Sequence, residues 1–257
     1  MLNVLNQGLI TVLYPNGFVP EVFYYTYYIV GALLVIAVGY LLGSINSSII
    51  ISKLLYHDDI RRHGSGNAGA TNMLRTYGKG AALLTLLGDV MKTALSVLFA
   101  ALIFGFAYVG GISTGNGFCY VAGLFTVMGH IFPIYYGFKG GKGVLATAAM
   151  ALILSPLAFA ILLTLFIIIV YFSRYVSLGS VTVAILYPVV LHGIFQVQFG
   201  ITMPGLAALS SIIVAIVIVW CHRHNLERIS NRTENKISFK KKTQKTEQAT
   251  DTAENEE

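Results

Sequence analysis

Four long stretches of the chain contain no Asp, Glu, Lys or Arg. They cover residues 22–52, 93–138, 143–173 and 175–222. Only 11% of the residues are charged, whereas soluble domains average about 25%, so this chain has too little charge to cover a water-facing globule. A helix needs about 20 apolar residues to cross a bilayer. These stretches therefore predict an all-α, multi-pass integral membrane protein and exclude an ordinary soluble enzyme.

Glycine and proline breaks divide the apolar stretches into seven predicted transmembrane helices. The breaks are the glycines between 105 and 117, the Ser155-Pro156 pair, and the segment 200–205 with Pro204. We predict helices near 27–55, 81–104, 118–136, 143–154, 156–173, 180–199 and 203–221. The pair around Pro156 could also be one long helix. Two helices keep Arg174 on the same side as the other basic loops, and this favours a short or broken pair.

The distribution of Lys and Arg predicts the orientation. With seven helices, the basic loops and the basic start of the C-terminal segment lie on one side, which the positive-inside rule assigns to the cytoplasm. The N-terminus is then outside and the C-terminus cytoplasmic. Residues 1–27 contain no Lys or Arg and are predicted to form an extension at the outer interface. Residues 28–229 form the membrane domain, and residues 230–257 a disordered polar cytoplasmic tail.

The first of three polar, glycine-rich segments that interrupt the apolar chain covers residues 61–75. Its glycines allow backbone N–H groups to form a concave cluster, which binds anions. A guanidinium at its end could hold a phosphate or carboxylate by two hydrogen bonds. The candidate binding residues are Ser65, Gly66, Asn67, Thr71, Asn72 and Arg75. A glycine-rich connector whose arginines touch lipid headgroups is the alternative.

The second segment, residues 129–144, contains the run Gly140-Gly141-Lys142-Gly143 before a predicted helix. It lacks the hydroxyl residue of a nucleotide P-loop and no strand precedes it, so hydrolysis of a nucleoside triphosphate is not expected. Lys142 at the start of a helix favours an anion, since the N–H groups and the positive end of the helix dipole are there. A hinge with lysines at the membrane surface is the alternative.

The third segment covers residues 220–229 at the end of the last apolar helix. His222 and Asn225 are three residues apart and would share a helix face; the histidine could carry a proton and the asparagine could orient a hydroxyl. The cluster could instead only determine topology. Ser180 lies near the same membrane face, and Asp89 and Lys92 are predicted to be a structural ion pair within a helix. The sequence has no His-Glu-x-x-His motif or cysteine pair, so no metal site is predicted.

Taken in order, the three segments resemble the PlsY family of bacterial membrane glycerol-3-phosphate acyltransferases. The resemblance covers roughly residues 28–229. It implies seven helices and an active site that faces the cytoplasm from the bacterial inner membrane. It also implies transfer of a fatty acyl group from acyl phosphate to the sn-1 hydroxyl of glycerol 3-phosphate, which gives lysophosphatidic acid in phospholipid biosynthesis. Site residues carried over onto matching positions are Ser65, Arg75, Lys142, Ser180, His222 and Asn225.

Among these residues, we assign Lys142, His222 and Asn225 to catalysis and the others, with Gly140 and Gly141, to substrate binding. The resemblance implies no coenzyme A, no metal cofactor and no nucleic-acid partner; membrane lipid and other enzymes of phospholipid synthesis are the partners that it suggests. Two other functions stay open on the residues alone. One is a membrane anion or phosphate transporter, and the other is a lipid-binding scaffold without enzymatic activity.

Overall fold

A computed structural model describes residues 8–14, 20–106, 108–109, 112–113 and 116–237. The described chain is helical except for connecting loops, two 3₁₀ turns and an antiparallel pair of two-residue strands, β1 and β2, at Tyr108–Val109 and Ile112–Ser113. The helices are α1 Leu9–Leu13, α2 Glu21–Ser44, α3 Ser47–Tyr56, α4 Ala70–Tyr77, α5 Lys79–Phe104, α6 Gly117–Ile131, α7 Val144–Leu154, α8 Pro156–Ser173, α9 Val176–Phe199, α10 Gly205–Cys221 and α11 Arg223–Ser230.

Five helical segments of the described chain are long and apolar enough to cross a membrane. They are Glu21–Tyr56, Lys79–Phe104, Gly117–Tyr136, Pro156–Ser173 and Val176–Phe199. A sixth is present if α10 and α11, bent by 52° at His222, form one broken span, and α7 is a shorter apolar helix. The prediction of an all-α, multi-pass membrane protein is therefore confirmed. The predicted break at Ser155-Pro156 is also present, between α7 and α8.

The first long helix differs from its prediction in two ways. It begins at Glu21 rather than near residue 27, and it is interrupted at Ile45 and Asn46. The interruption has a local cause, because the Asn46 side chain accepts a hydrogen bond from Ile49 N and caps the start of α3. An asparagine cap satisfies an otherwise free N–H group of the new helix. The bend leaves the carbonyl oxygens of Gly43 and Ile45 free to accept other hydrogen bonds.

Helix α6 lies at the centre of the molecule and packs against α2, α5, α7 and α10. Its contact with α2 depends on glycine. A Cβ at Gly43 would lie 2.3 Å from Thr126 O, and a Cβ at Gly129 would lie 2.2 Å from Tyr40 O. Small residues at such positions let membrane helices approach closely. The close approach places the end of α6, with the glycine-rich segment that follows it, against the break between α2 and α3.

The polar loops that connect the helices meet at one end of the bundle. Arg61 Nη1 donates to Lys139 O at 3.3 Å, and Ile237 N donates to Arg174 O at 2.9 Å, so loops far apart in sequence touch each other. The other end holds the aromatic contact of Phe104 with Phe118. Gly8 and the first turns of α2 lie at that second end, where the Tyr27 hydroxyl donates to Ile103 O.

Several predictions concern residues of which the structure describes little or nothing. Residues 238–257, which include most of the predicted tail, lie outside the described residues, as do residues 1–7 and 15–19. The two cysteines, Cys119 and Cys221, are both free.

Candidate active site

One cavity of about 470 Å³ opens where the polar loops meet. Its mouth is polar and its interior is apolar. The polar lining comes from loops and helix ends and includes Ser65, Asn67, Thr71, Asn72, Arg75, Lys142, Ser177, Ser180, His222, Asn225, Arg228 and Glu234. The apolar lining comes from α7, α8 and α9 and includes Leu145, Ala148, Ala151, Phe159, Leu162, Leu163, Phe166, Val183, Ala184 and Tyr187. We call this apolar part the shaft.

The shaft runs down the inner face of α9. Ser177 and Ser180 lie at its polar end, and Tyr187, which is 1% exposed, lies at its deep end. Ten residues of helix from Ser177 to Tyr187 correspond to about 15 Å at 1.5 Å per residue. Leu86 and Leu163 line the cavity and are also 38% and 41% exposed. The wall between α5 and α8 therefore borders the lipid-facing surface.

Asn72 organises the first glycine-rich loop. Its Nδ2 donates to His63 O at 2.9 Å, Asn67 O at 3.1 Å and Ile60 O at 3.2 Å, and its Oδ1 accepts from Ser65 N at 3.1 Å. The side chain is 1% exposed. Its polar atoms are thus used within the loop, so Asn72 fixes the place of Ser65 at the cavity mouth.

Arg61 joins the first glycine-rich loop to the second. Its Nη1 donates to Tyr136 O at 3.1 Å and to Lys139 O at 3.3 Å, while Asp59 holds the same guanidinium at 2.7 Å. The hydrogen bond from Arg61 is the largest effect on the Asp59 carboxyl group and lowers its pKa to about 2. Burial acts in the opposite direction but is the weaker effect. The charged pair keeps both loops at one side of the cavity.

A second network joins the loop before α7 to α9, α11 and the segment that follows α11. Lys142 Nζ donates to Asn225 Oδ1 at 2.5 Å, and Asn225 Nδ2 donates to Ser177 Oγ at 2.9 Å and to Glu234 Oε1 at 2.7 Å. Ser177 Oγ donates to Glu234 Oε1 at 2.6 Å, and Arg228 Nε donates to Glu234 Oε2 at 2.7 Å. Five residues from three separate parts of the sequence are therefore fixed relative to each other.

The charges of this network influence one another. Burial lowers the pKa of Lys142, and the nearby Glu234 carboxylate partly opposes that shift. Burial raises the pKa of Glu234, but hydrogen bonds from Ser177, Asn225 and Arg228 outweigh it, so this pKa is lower than usual. Glu234 is therefore ionised at neutral pH, and its negative charge favours the charged form of the half-buried Lys142 side chain.

His222 lies at the break between α10 and α11 and is 3% exposed. Its Nδ1 is 2.8 Å from Ile218 O. A carbonyl oxygen only accepts hydrogen bonds, so Nδ1 carries the proton in this contact. In the neutral ring, Nε2 is then left with a lone pair at the cavity lining. This geometry suits a group that accepts a proton or a hydrogen bond from a substrate hydroxyl.

The structure brings most of the sequence-predicted site residues to this one cavity. Nine of them line it: Ser65, Asn67, Thr71, Asn72, Arg75, Lys142, Ser180, His222 and Asn225. Three others, Gly66, Gly140 and Gly141, are not in its lining. Their N–H groups donate to His63 O, Ile131 O and His130 O within the loops. These three glycines therefore form turns of the loops next to the cavity, and their N–H groups bond to the loops themselves.

Sequence reasoning did not include Glu234 among the site residues. The predicted membrane domain ends at residue 229, so Glu234 falls within the predicted polar tail. The signal that could have found it is a lone acid soon after Arg228 in a strongly basic segment. Ser177 is likewise outside the set of twelve predicted site residues. Its hydroxyl in fact takes part in the Asn225 and Glu234 network.

The fold and the cavity define a class of membrane protein, one whose site has room for an anion next to a hydrocarbon chain. Arg75, Lys142 and Arg228 supply positive charge at the mouth, and the shaft supplies apolar surface at membrane depth. Comparison with known proteins gives the family. The chain matches the model of the family described as glycerol-3-phosphate acyltransferase over residues 33–232 and belongs to that family.

Curated relatives and solved structures agree with this assignment. A glycerol-3-phosphate acyltransferase of Syntrophomonas wolfei is 42% identical over 209 residues, which are 81% of this chain and 97% of the relative. One of Halalkalibacterium halodurans is 42% identical over 214 residues, 83% of this chain and 98% of the relative. The crystal structure of PlsY (YgiH), an integral membrane glycerol 3-phosphate acyltransferase, in its glycerol 3-phosphate form has a TM-score of 0.69 and 31% identity, covering 80% of this chain and 96% of that chain. Its lysophosphatidic acid form has a TM-score of 0.68 and 30% identity, covering 80% and 95%.

Proposed function

We propose that this protein transfers a fatty acyl group from acyl phosphate to the sn-1 hydroxyl of glycerol 3-phosphate, releasing lysophosphatidic acid and phosphate. Family membership supports acyl transfer to glycerol 3-phosphate, since related solved structures are described in glycerol 3-phosphate and lysophosphatidic acid forms. The single structural observation that carries the proposal is the continuity of the cavity. A basic polar mouth opens directly into an apolar shaft.

The polar mouth suits two phosphate groups. Two anions close together repel each other, so a site that holds both must supply more positive charge and more N–H and O–H donors than carboxylates. We assign phosphate binding to Ser65, Arg75, Lys142 and Ser180. Arg75 is exposed at the rim, where it can meet a soluble anion, whereas Lys142 is half-buried, where its charge acts more strongly.

In the proposed reaction, the sn-1 oxygen attacks the carbonyl carbon of the acyl phosphate and forms the ester bond. The bond from that carbon to the bridging oxygen breaks, and phosphate leaves with the electron pair. Asn225 and His222 orient the attacking hydroxyl, whose proton passes to His222 Nε2 or to a phosphate oxygen. Lys142 supports the charge on the leaving phosphate, which is the kind of electrostatic contribution that dominates many enzymes.

The reaction needs no acyl-enzyme intermediate, because an acyl phosphate is already activated. The enzyme then needs mainly to bring the two substrates together and to orient them. The shaft holds the acyl chain, and the exposed position of Leu86 and Leu163 supports its entry from the lipid side. A covalent acyl-protein trapped by rapid quenching would contradict the single-step reaction.

We further propose that the chain crosses the bacterial inner membrane seven times, with its N-terminus outside and the active site facing the cytoplasm. The loops before α4, before α7, at Arg174 and after α10 contact one another at one end of the bundle. Between one of these loops and the next, the chain must leave this end and return to it. The pairs α5 with α6, α7 with α8, and α9 with α10 each account for two passes. The basic residues of these loops favour the cytoplasmic side.

The test is an assay of the full-length purified protein with acyl phosphate and glycerol 3-phosphate, scored for lysophosphatidic acid. We expect product with acyl phosphate and none with acyl-coenzyme A as donor. Product only with acyl-coenzyme A would overturn the donor assignment. No product with either donor from protein that is monodisperse and binds glycerol 3-phosphate would overturn the function.

The same protein tests the transporter and scaffold alternatives. Reconstituted vesicles that accumulate labelled phosphate without acyl transfer would favour the transporter. The architecture argues against this, since the cavity becomes apolar below Ser180 instead of continuing as a polar path. Binding of lysophosphatidic acid without turnover would favour the scaffold.

A further inference from the structure

A buried cluster of Asp89, Lys92 and His130 lies beside the cavity and has no part in the proposed reaction. The three side chains belong to α5 and α6 and are 0%, 4% and 3% exposed. Asp89 and His130 also line the cavity. The sequence predicted the first two as a structural ion pair, and the structure contains that pair, with Lys92 Nζ at 2.8 Å from Asp89 Oδ1.

Lys92 does more than pair with Asp89. Its Nζ also donates to Gly43 O at 3.1 Å and to Ile45 O at 3.0 Å, the carbonyl groups left free by the break between α2 and α3. The same ammonium lies 2.9 Å from His130 Nδ1. Lys92 thus connects the bend of the first long helix to the histidine at the end of α6.

The contact with Lys92 determines which nitrogen of His130 carries the proton. An ammonium group only donates hydrogen bonds, so Nδ1 at 2.9 Å must be the acceptor. In the neutral ring the proton is then on Nε2. The tautomer is the opposite of that of His222, whose Nδ1 carries the proton.

His130 Nε2 lies where the two glycine-rich loops meet. A Cβ at Gly141 would lie 2.1 Å from His130 Nε2 and 2.6 Å from Ala68 O, so any side chain at residue 141 would clash with the ring in this position. Within the described residues, Nε2 takes part in no hydrogen bond. His130 is 3% exposed and lines the cavity, so an Nε2–H group without a protein partner is available to a ligand in the cavity.

We infer that His130 is a further phosphate-binding residue of this site, with Nε2–H as the donor and with Lys92 and Asp89 as residues that position it. The ligand is a phosphate group, either that of glycerol 3-phosphate or that of the acyl phosphate. The inference rests on the proposed function for its substrates. The proposed site thereby gains one more hydrogen-bond donor. The contact with Lys92 fixes the tautomer that provides this donor, and the donor is not part of the Lys142 network.

Two substitutions distinguish the role of Nδ1 from that of Nε2 in the His130 ring. In His130→Gln the side-chain amide reaches the place of Nε2 and can still donate to phosphate. In His130→Asn the amide oxygen reaches only the place of Nδ1, so it can accept from Lys92 but offers no donor at the cavity. We expect His130→Asn to raise the KM of at least one substrate roughly 10-fold or more, as for a lost hydrogen bond to a charged group, and His130→Gln to raise the same KM much less.

The KM is measured separately for glycerol 3-phosphate and for acyl phosphate, and the substrate that responds identifies the phosphate. Thermal unfolding in detergent checks that both variants fold. Unchanged KM values for both substrates in His130→Asn would overturn the inference. Equal losses in the two variants would also overturn it, since they would assign His130 to packing around Lys92.

A measurement of ligand binding to the wild-type protein needs no turnover. Protein labelled with ¹⁵N-histidine is titrated with inorganic phosphate, and the His130 signals are identified among the six histidines by their absence from His130→Gln. We expect a proton on Nε2 and a shift of that signal with phosphate. A proton on Nδ1, or no response at phosphate concentrations that shift other site signals, would overturn the inference. Wild-type protein without acyl transfer would instead count against the proposed function.

Discussion

Lys142 Nζ and Asn225 Oδ1 are 2.5 Å apart, although 83 positions separate the two residues in the sequence. This contact joins the glycine-rich loop before α7 to the short helix after α10. The Lys142 ammonium is thereby held beside Asn225 and His222, the two residues assigned to the attacking hydroxyl. The group that stabilises negative charge and the groups that orient the nucleophile are parts of one hydrogen-bonded unit.

Replacing Lys142 by alanine should reduce kcat/KM for acyl transfer by roughly 100-fold or more, the usual cost of losing an electrostatic contact to a developing charge. The steady-state rate with both substrates measures this. Lys139→Ala is the matched control, because Lys139 lies in the same loop with its side chain exposed and outside the cavity lining. Wild-type turnover in folded Lys142→Ala would contradict the site assignment.

The alkaline side of the pH profile should report Lys142. Lysine is a cation below its pKa, so kcat/KM should fall as the pH rises through that value. Because burial lowers the pKa of Lys142, the fall should begin at a lower pH than an exposed lysine would give.

Glu234→Gln should move this alkaline limb further toward neutral pH. The Glu234 carboxylate raises the pKa of Lys142, and the uncharged amide removes that effect. Profiles of kcat/KM against pH for the two proteins make the comparison. An unchanged limb, or one moved to higher pH, would show that Lys142 does not control it.

Much of the fold could be predicted, because apolar length and glycine or proline breaks depend on local sequence. The prediction of a helix over 156–173 agrees with α8, and 143–154 agrees closely with α7. The bend at Asn46 was not predicted, since a polar residue among serines and glycines fits close helix packing as well as a helix cap. In the structure Asn46 caps the new helix, and Lys92 binds the carbonyl groups at the bend; the second contact depends on the tertiary fold.

The candidate site was partly predictable for a related reason. Glycine, lysine and histidine at loop positions indicate anion chemistry without knowledge of the tertiary structure. The roles of Asn72 and Glu234 depend on contacts across the fold, which a sequence does not contain. The Asn72 side-chain amide holds the loop in shape by hydrogen bonds to three carbonyl groups. Glu234 belongs to a segment whose composition predicts a polar tail, yet its carboxylate binds Ser177 and Asn225 in the site.

A leucine at position 148 should shorten the acyl chain that the enzyme accepts. Ala148 lines the shaft from α7 and is half-buried, so a larger side chain would project into the space for the hydrocarbon. We expect Ala148→Leu to lower kcat/KM for long-chain acyl phosphates more than for short-chain ones, while the KM for glycerol 3-phosphate stays the same. Ala160→Leu, on the exposed face of α8, is the control. Equal effects on all chain lengths would place the acyl chain elsewhere.

Arg61→Ala should loosen the two glycine-rich loops from each other. The guanidinium donates to Tyr136 O and Lys139 O, and Asp59 holds it in place. Its loss leaves these carbonyl groups and the Asp59 carboxylate with fewer partners, at about 1–3 kcal/mol if they stay out of water. We expect a lower midpoint of thermal unfolding and a raised KM for glycerol 3-phosphate, because Ser65 and Lys142 lie on the two loops that Arg61 joins.

Arg62→Ala is the matched control for this prediction, since Arg62 is the exposed neighbour with the same charge. Thermal unfolding and substrate titration are measured on both variants in the same detergent. If the two substitutions raise KM equally, the effect comes from general positive charge near the mouth. If only Arg61→Ala does so, the hydrogen bonds between the loops set the geometry of the phosphate site, and added salt should not reproduce the defect because screening acts mainly on exposed charges.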